Sequence, residues 1–468
     1  MPRATVAAVV ADGLCRAGVA RVFASPGAPS AVVAAVRERG LTVVETAGAT
    51  AACLMAAVTG ELGDAPGVAL VPLGGRLAAV VDGAAHATRD RAATIVISDG
   101  AADARLLGPV VKASVVADAA SAGHWIAHAA QAAMAEPRGA VHLAVPAGVA
   151  ETATLPVAAS CRRAPLPAPS AESLDALAEA IAAAARPVLV AGLETGPGDA
   201  PWFRALAESL PAPVLTTPKG KGVLPDPHPL AHGLLDAGHP LLAQADLLIL
   251  VGVDPVEARP GVWPAGTRLV RIARSVADDV VFGEIALVIE ELAPRLRDRV
   301  RADWDVAALD RLKRSRRVAG SGPGLARRRV VELAREMTPA GTTLALDVPL
   351  ADAWASVAPR DCLIPNGVAT LGFALPAALA AALARADGRV VAIGGAAGFA
   401  AMAAEWPTVA RLGAPVVAVA LNEAGATDLT RAAGVDVVTA TDEASFRAGF
   451  DRAWRGGGPA LIDARVSR

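Results

Sequence analysis

The chain has 468 residues, of which 54% are hydrophobic and 19% charged, whereas a disordered chain would be apolar-poor and highly charged. Its 44 basic and 46 acidic groups leave a formal charge of −2, so electrostatics gives no case for a nucleic-acid or membrane-surface partner. At roughly 150 residues per domain, the length accommodates about three domains with sizeable cores.

In chain order, short apolar runs predict strands at Arg21–Ala24, Thr42–Thr46, Val68–Val71, Ala93–Ser98 and Ala140–Val145. A second group follows at Pro187–Gly192, Pro213–Thr217, Leu247–Val253 and Arg268–Ile272, and a third at Thr343–Val348, Val390–Ile393, Pro415–Leu421 and Leu461–Arg465. These runs lack polar alternation, as strands buried on both faces do, and Ala-rich helical stretches separate them. That pattern implies parallel sheets covered by helices. The Pro/Ala-rich stretch Leu155 to Ser170 reads as a linker. The basic stretch Arg311 to Arg329 reads as a solvated interdomain helix and turn. The fold class is therefore α/β, with three Rossmann-like parallel-sheet domains at residues 1–158, 170–300 and 325–468.

Cys15, Cys53, Cys161 and Cys362 form no CxxC pair and read as small hydrophobes in a reducing compartment. Arg3 and Asp12 interrupt the N-terminal apolar stretch, which argues against a signal peptide. The run Leu375 to Ala384 is shorter than the ~20 residues that span a bilayer. A cytoplasmic protein with no membrane partner is the expectation. His124 and His128 have the i, i+4 spacing of a zinc pair but lack an HExxH-like context. No GxSxG, Walker loop or Cys/His nucleophile pair is present in the sequence.

Several longer stretches carry a family resemblance. Val22 to Gly27 (VFASPG) is similar to a VFGxPG strand-turn. Leu70 to Asp90 (LVPLGGRLAAVVDGAAHATRD) tracks LVTSGPGATNALTGLAEAYAD without a gap. Gly139 to Val149 (GAVHLAVPAGV) resembles GPVHLDIPLDV, and Asn366 to Ala378 (NGVATLGFALPAA) resembles GGLGTMGFGLPAA. Thr216 to Pro229 (TTPKGKGVLPDPHP) is nearly the family text, and Val391 to Asn422 resembles a motif that opens with GDG and closes with LNN. On these residues the chain resembles the thiamine-diphosphate (ThDP) dependent enzymes of the acetolactate synthase type. The resemblance spans almost the whole chain. It implies pyrimidine-binding-like, central and pyrophosphate-binding-like domains in that order, and family sites built across a homodimer or homotetramer.

The resemblance also implies a cofactor, ThDP with Mg²⁺, and a machinery to hold it. The glutamate that drives formation of the reactive ylid falls on Ala49 and its neighbouring histidine on Gly48. The metal-binding aspartate falls on Ala396, within Gly394 to Phe399. The closing asparagine is Asn422, followed by Glu423. An alanine can neither exchange a proton nor bind Mg²⁺, which wants hard oxygen ligands. Neither a working ThDP site nor another metal site is therefore expected.

Gly395, Gly398 and Asn422 are the residues left to bind a cofactor or anion, the glycines through backbone N–H groups. Arg76, Asp352 and Glu423 are the polar candidates for chemistry in the old cleft. Arg76 could hold a substrate carboxylate bidentately, and either acid could serve as base. Glu45 could stand in for the lost glutamate or face the surface; His86 could serve the site or pack its helix. Lys219 and Lys221 could meet a nucleotide phosphate or lie in a solvated loop.

Three functions stay open. The first is a cofactor-independent enzyme acting on a small oxo acid or related metabolite. The second is a ThDP-dependent 2-oxo acid decarboxylase or carboligase. The third is a non-catalytic regulatory or scaffolding homologue.

Overall fold

A computed structural model describes residues 4–467 except 75, 101, 258–260, 277–279, 316–324, 369, 386–387, 424 and 430–433, and of 102–104 the backbone alone. Among the described residues the apolar runs build three six-stranded sheets.

Strand β1 (Ala4–Thr5) pairs antiparallel with β8 (Ala153–Thr154) and feeds helix α1 (Val6–Arg16), whose first turn is capped by the Thr5 hydroxyl accepting from the Ala8 N–H. The first sheet then alternates strand and helix. Its strands are β2 (Arg21–Ala24), β3 (Thr42–Glu45), β4 (Gly67–Leu70), β5 (Thr94–Ser98), β6 (Ala113–Val116) and β7 (Ala140–Ala144). Its helices are α2 (Ser30–Glu38), α3 (Ala49–Leu62), α4 (Leu77–Arg89), α5 (Ala122–Met134) and α6 (Ala147–Ala150). The spatial order is β3-β2-β4-β5-β7-β6 and every pair is parallel.

The second sheet runs β11-β10-β9-β12-β13-β14, again parallel throughout. Its strands are β9 (Pro187–Ala191), β10 (Val214–Thr216), β11 (Ala231–Leu234), β12 (Leu247–Val251), β13 (Arg268–Ala273) and β14 (Val280–Phe282). The accompanying helices are α7 (Ala171–Ala183), α8 (Ala200–Ser209), α9 (Pro240–Gln244) and α10 (Ile285–Leu296), followed by α11 (Val306–Ser315) and α12 (Arg327–Glu336).

The third sheet runs β16-β15-β17-β18-β20-β19. Its strands are β15 (Thr343–Leu346), β16 (Cys362–Leu363), β17 (Val390–Gly395), β18 (Val416–Glu423), β19 (Asp436–Ala440) and β20 (Ala460–Val466), with helices α13 (Ala374–Ala384), α14 (Ala396–Ala401), α15 (Trp406–Arg411) and α16 (Glu443–Arg455).

The thirteen strands expected from apolar runs all form. Among the described residues seven strands escaped the sequence pattern: β1, β6, β8, β11, β14, β16 and β19. All seven are edge strands. An edge strand needs less two-sided burial and so carries no continuous apolar run; β6 alternates half-buried and exposed residues.

By internal contacts the chain forms two compact units. One contains Met1–Ala164, Ala345–Asp347 and Gly367–Val466; the other contains Pro165–Leu344, Val348–Asn366 and Ser467–Arg468. In the first unit α3 is almost wholly buried and packs against α4, where a Cβ on Gly83 would lie 2.2 Å from Cys53 Cβ. Small residues let these two helices approach closely.

No helix among the described residues is long and apolar enough to cross a membrane. Of the basic stretch 311–329, α11 ends exposed with Arg314 paired to Asp310 at 2.6 Å, and residues 316–324 lie outside the described residues.

Candidate functional site

Position 49 opens α3, and Ala49 is 2% exposed there. Gly48, the residue before it, has extended backbone and caps the helix without a side chain. The exposed N–H groups of this turn are met by an acid from far along the chain. Glu405 accepts the Ala47 N–H at 3.0 Å and the Gly48 N–H at 2.9 Å. Its side chain is buried, which raises its pKa above the ordinary carboxylate value, while the Ala47, Thr408 and Gly48 hydrogen bonds pull the other way. An anion at a helix N-terminus also meets the positive end of the helix dipole. Glu45, the candidate stand-in, is instead exposed and paired with Arg37 at 2.7 Å, and both line the mouth of a neighbouring pocket.

Beside this turn lies a pocket of about 400 Å³ at the carboxyl ends of β2 and β3. Ser25, Gly27, Ser30, Arg37 and Thr46 line it. Ser25 is 4% exposed, and its Oγ is buried without a hydrogen-bond partner. A native buried hydroxyl left unpaired calls for an explanation, such as a ligand or water. Thr46 donates to the Gly48 carbonyl at 3.0 Å, tying the pocket wall to the start of α3.

The Gly394–Gly398 segment divides differently from expectation. β17 continues through Gly395, and α14 already starts at Ala396, which is 5% exposed. No acid lies near in sequence, yet one lies near in space. Asp347, just past β15, accepts the Gly395 N–H at 3.2 Å and also bonds the Ala374 N–H at the start of α13. A Cβ on Gly394 would fall 2.3 Å from its Oδ1, and one on Gly398 3.1 Å from its Oδ2. Burial pushes the Asp347 carboxyl up to about 6. Sequence reasoning missed Asp347 and Glu405 because neither is adjacent to the motif it serves.

Asn422 is 1% exposed on β18. Its amide nitrogen donates to Asp463 Oδ1 and to the Thr427 carbonyl, both at 2.8 Å, and its oxygen accepts the Thr427 N–H at 3.2 Å. Glu423 ends the same strand, half-buried. Arg76 is exposed at the N-terminus of α4, and its neighbour Gly75 lies outside the described residues. Asp352 belongs to the other unit, where it is exposed and paired with Arg328.

His86 is 1% exposed, with its ring tilted against Phe373 at a centroid distance of 5.0 Å and facing Asp90 at 3.5 Å; it packs its helix. His124 and His128 stack on each other on the surface, 6.2 Å apart. Among the described residues no group of three His, Cys, Asp or Glu side chains could hold a metal ion.

In the second unit Lys219 and Lys221 are buried, not solvated, and Lys221 is committed to Asp226. At the carboxyl edge of the second sheet, Glu257 accepts the Leu193 N–H at 2.8 Å and the Thr217 hydroxyl. Burial pushes this carboxyl up to about 7.

Comparison with known proteins bears on this geometry. Sequence models of the thiamine pyrophosphate enzymes match in order: the N-terminal TPP binding domain at residues 4–121, the central domain at 174–284 and the C-terminal TPP binding domain at 347–427. The catabolic acetolactate synthase of Raoultella terrigena is 28% identical over 448 residues, covering 86% of this chain and 79% of that one. The acetolactate synthase of Bacillus subtilis is 27% identical over 466 residues, covering 89% and 81%. The "Probable 2-ketoarginine decarboxylase" of Pseudomonas aeruginosa is 31% identical over 307 residues, covering 60% and 54%. An X-ray structure of a thiamin diphosphate-dependent enzyme candidate from Mycobacterium smegmatis superposes with a TM-score of 0.85 over 100% of both chains; at 23% identity it bears on the fold alone. Three domain models in the family order, with relatives aligned along most of the length, place the chain in the thiamine pyrophosphate enzyme family, where it is acetolactate synthase-like.

Proposed function

We propose that this chain is an enzyme acting on a small oxo acid or related metabolite, without the metal-held cofactor that its family resemblance implies. The observation that carries the reading is the pair of alanines at the two positions where that chemistry needs acids, Ala49 and Ala396, both buried. Mg²⁺ asks for near-octahedral oxygen ligands. The Gly394–Gly398 segment offers the Asp347 carboxyl, which already accepts the Gly395 N–H, and the Asn422 amide is spent on Asp463 and Thr427. These residues do not suit a magnesium-bound diphosphate.

The Ser25 pocket supplies what the reading needs. Its unpaired Oγ can donate to a carboxylate or oxo group, and the uncapped N-terminus of α2 beside it favours an anion. Arg76 is proposed to hold a substrate carboxylate, and Glu423 or Asp352 to act as base. For Asp352 this requires release from Arg328. Of the two glycines expected as backbone donors at the old cofactor loop, Gly398 is proposed to keep that role, since the Gly395 N–H is already held by Asp347. Assembly as a homodimer or homotetramer in the cytoplasm is part of the same proposal.

The second reading, a ThDP-dependent 2-oxo acid decarboxylase or carboligase, is favoured by the similarity to acetolactate synthases and to the arginine-derived keto acid decarboxylase. One titration separates the two. Calorimetry with ThDP plus Mg²⁺ is expected to show no micromolar binding, and such binding would restore the second reading. Pyruvate, as a probe of the pocket, is expected to bind the wild type and to lose about tenfold in affinity in Ser25→Ala, the worth of one charge-assisted hydrogen bond. Absence of binding by pyruvate and other small oxo acids, with no binding of ThDP, would point to a non-catalytic homologue.

A further inference from the structure

In the second unit a groove of about 600 Å³ opens between α8 and α10, lined by none of the residues discussed for catalysis. Volumes of this size are typical of small-molecule sites. Trp202 and Leu206, one turn apart on α8, form one wall. Ile289 and Ala293, one turn apart on α10, form the other. Leu206 and Ile289 are nearly buried and make an apolar floor, whereas Trp202 keeps 38% of its surface exposed and presents an indole face to the opening.

The end of the groove is charged in both senses. Arg297 and Asp298 line it immediately after α10. Among the described residues neither side chain has a hydrogen-bond or ion-pair partner. Several neighbouring charges are matched elsewhere: Arg295 with Asp175 at 2.8 Å, Arg204 with Glu208 at 2.8 Å, and Arg299 with Glu179. Asp298 adopts a left-handed backbone, φ 61°, which an aspartate tolerates better than most residues but which still carries strain. Both residues line that end of the groove without pairing with each other.

We infer that this groove binds an α-amino acid with a large apolar side chain. Arg297 takes the carboxylate, Asp298 takes the ammonium, and the side chain lies between Trp202 and Leu206 on one side and Ile289 and Ala293 on the other. A simple anion would meet Asp298 as a like charge, and a simple cation would meet Arg297. A zwitterion satisfies both while burying its tail. The site is independent of the oxo-acid reading, since it lies on other elements and uses none of the same residues.

L-Phenylalanine serves as the probe, titrated by calorimetry into the full-length protein. One-to-one binding in the submillimolar range is expected. 3-Phenylpropionate, which lacks the ammonium, and phenethylamine, which lacks the carboxylate, are each expected to bind at least about tenfold more weakly, as for loss of one charge-assisted hydrogen bond. Arg297→Ala and Asp298→Asn should each lower L-phenylalanine affinity by a similar factor, and asparagine keeps the left-handed backbone accessible. Ala293→Phe should fill the groove and abolish binding while the circular dichroism spectrum stays unchanged. Three outcomes overturn the assignment: no saturable binding up to ~10 mM, binding that survives in a folded Ala293→Phe protein, or 3-phenylpropionate binding as tightly as L-phenylalanine. Should Ala293→Phe fail to fold, the Arg297 and Asp298 variants decide the same question.

Discussion

Glu405 Oε1 accepts the N–H of Gly48 at 2.9 Å across 357 residues of sequence, so the turn that leads into α3 is held by an acid from far along the chain. The same carboxylate takes the Ala47 N–H. Removing it in Glu405→Ala leaves two donors unmet and a buried void. A loss of about 3 kcal/mol in unfolding free energy is expected, from two charge-assisted hydrogen bonds. Faster amide exchange at Ala47 and Gly48, with little change elsewhere, would locate the effect; unchanged exchange there would refute it.

Glu257 gives stability a pH dependence of opposite sense to an ordinary surface acid. Its carboxyl moves from 4.5 to about 7 on folding, chiefly through burial. The folded state therefore holds an extra proton between those values, and this group's contribution declines as pH rises through that window. Glu257→Gln removes the cost of a buried charge. The variant should gain on the wild type steadily from pH 4.5 to pH 7, by on the order of 2 kcal/mol at the upper end. Urea melts at half-unit pH steps test this, and a difference independent of pH would contradict it.

His142 acts at the acid end. It is fully buried on β7, with Ser98 Oγ and Ser114 Oγ each 2.8 Å from a ring nitrogen. Burial pushes its pKa down to about 4, so it stays neutral in the folded state while the unfolded chain titrates near 6.5. Its contribution is complete above 6.5 and is lost as pH falls toward 4. His142→Asn should flatten the acid limb of the stability profile between those values. An unaltered acid limb in the variant would show that other groups set it.

Gly83 tests the close packing of α3 on α4. Alanine is the better helix former by about 1 kcal/mol. Against that, its Cβ would sit 2.2 Å from Cys53 Cβ, a contact that neither helix can yield without shifting. Overpacking of this kind costs about 1–3 kcal/mol or more, so Gly83→Ala should be net destabilising in denaturant melts. A stabilised variant would mean the two helices separate freely.

Asn422→Ala should destabilise the protein whether or not ThDP and Mg²⁺ are present. Three hydrogen bonds are lost and the buried Asp463 carboxylate loses a donor, worth about 2–4 kcal/mol together. Thermal melts with and without the cofactor pair should shift equally. A shift seen only with cofactor would assign the amide to binding.

The amino-acid sequence by itself determined the layering. Runs such as Leu247–Val251 and Thr94–Ser98 are buried at every position, and a strand buried on both faces must read as uninterrupted apolar residues. It also determined that positions 49 and 396, where the family resemblance implies acids, hold alanine. Only the tertiary structure decided which acids arrive beside them. Periodicity reports local burial, not which distant loop arrives. Nothing near Gly48 announces Glu405, nothing near Gly395 announces Asp347, and nothing in the local pattern announces that Lys219 and Lys221 are buried. The Arg297–Asp298 pair was likewise plain as letters, but its meaning rested on their neighbours' charges being matched elsewhere, which only the assembled helices determine.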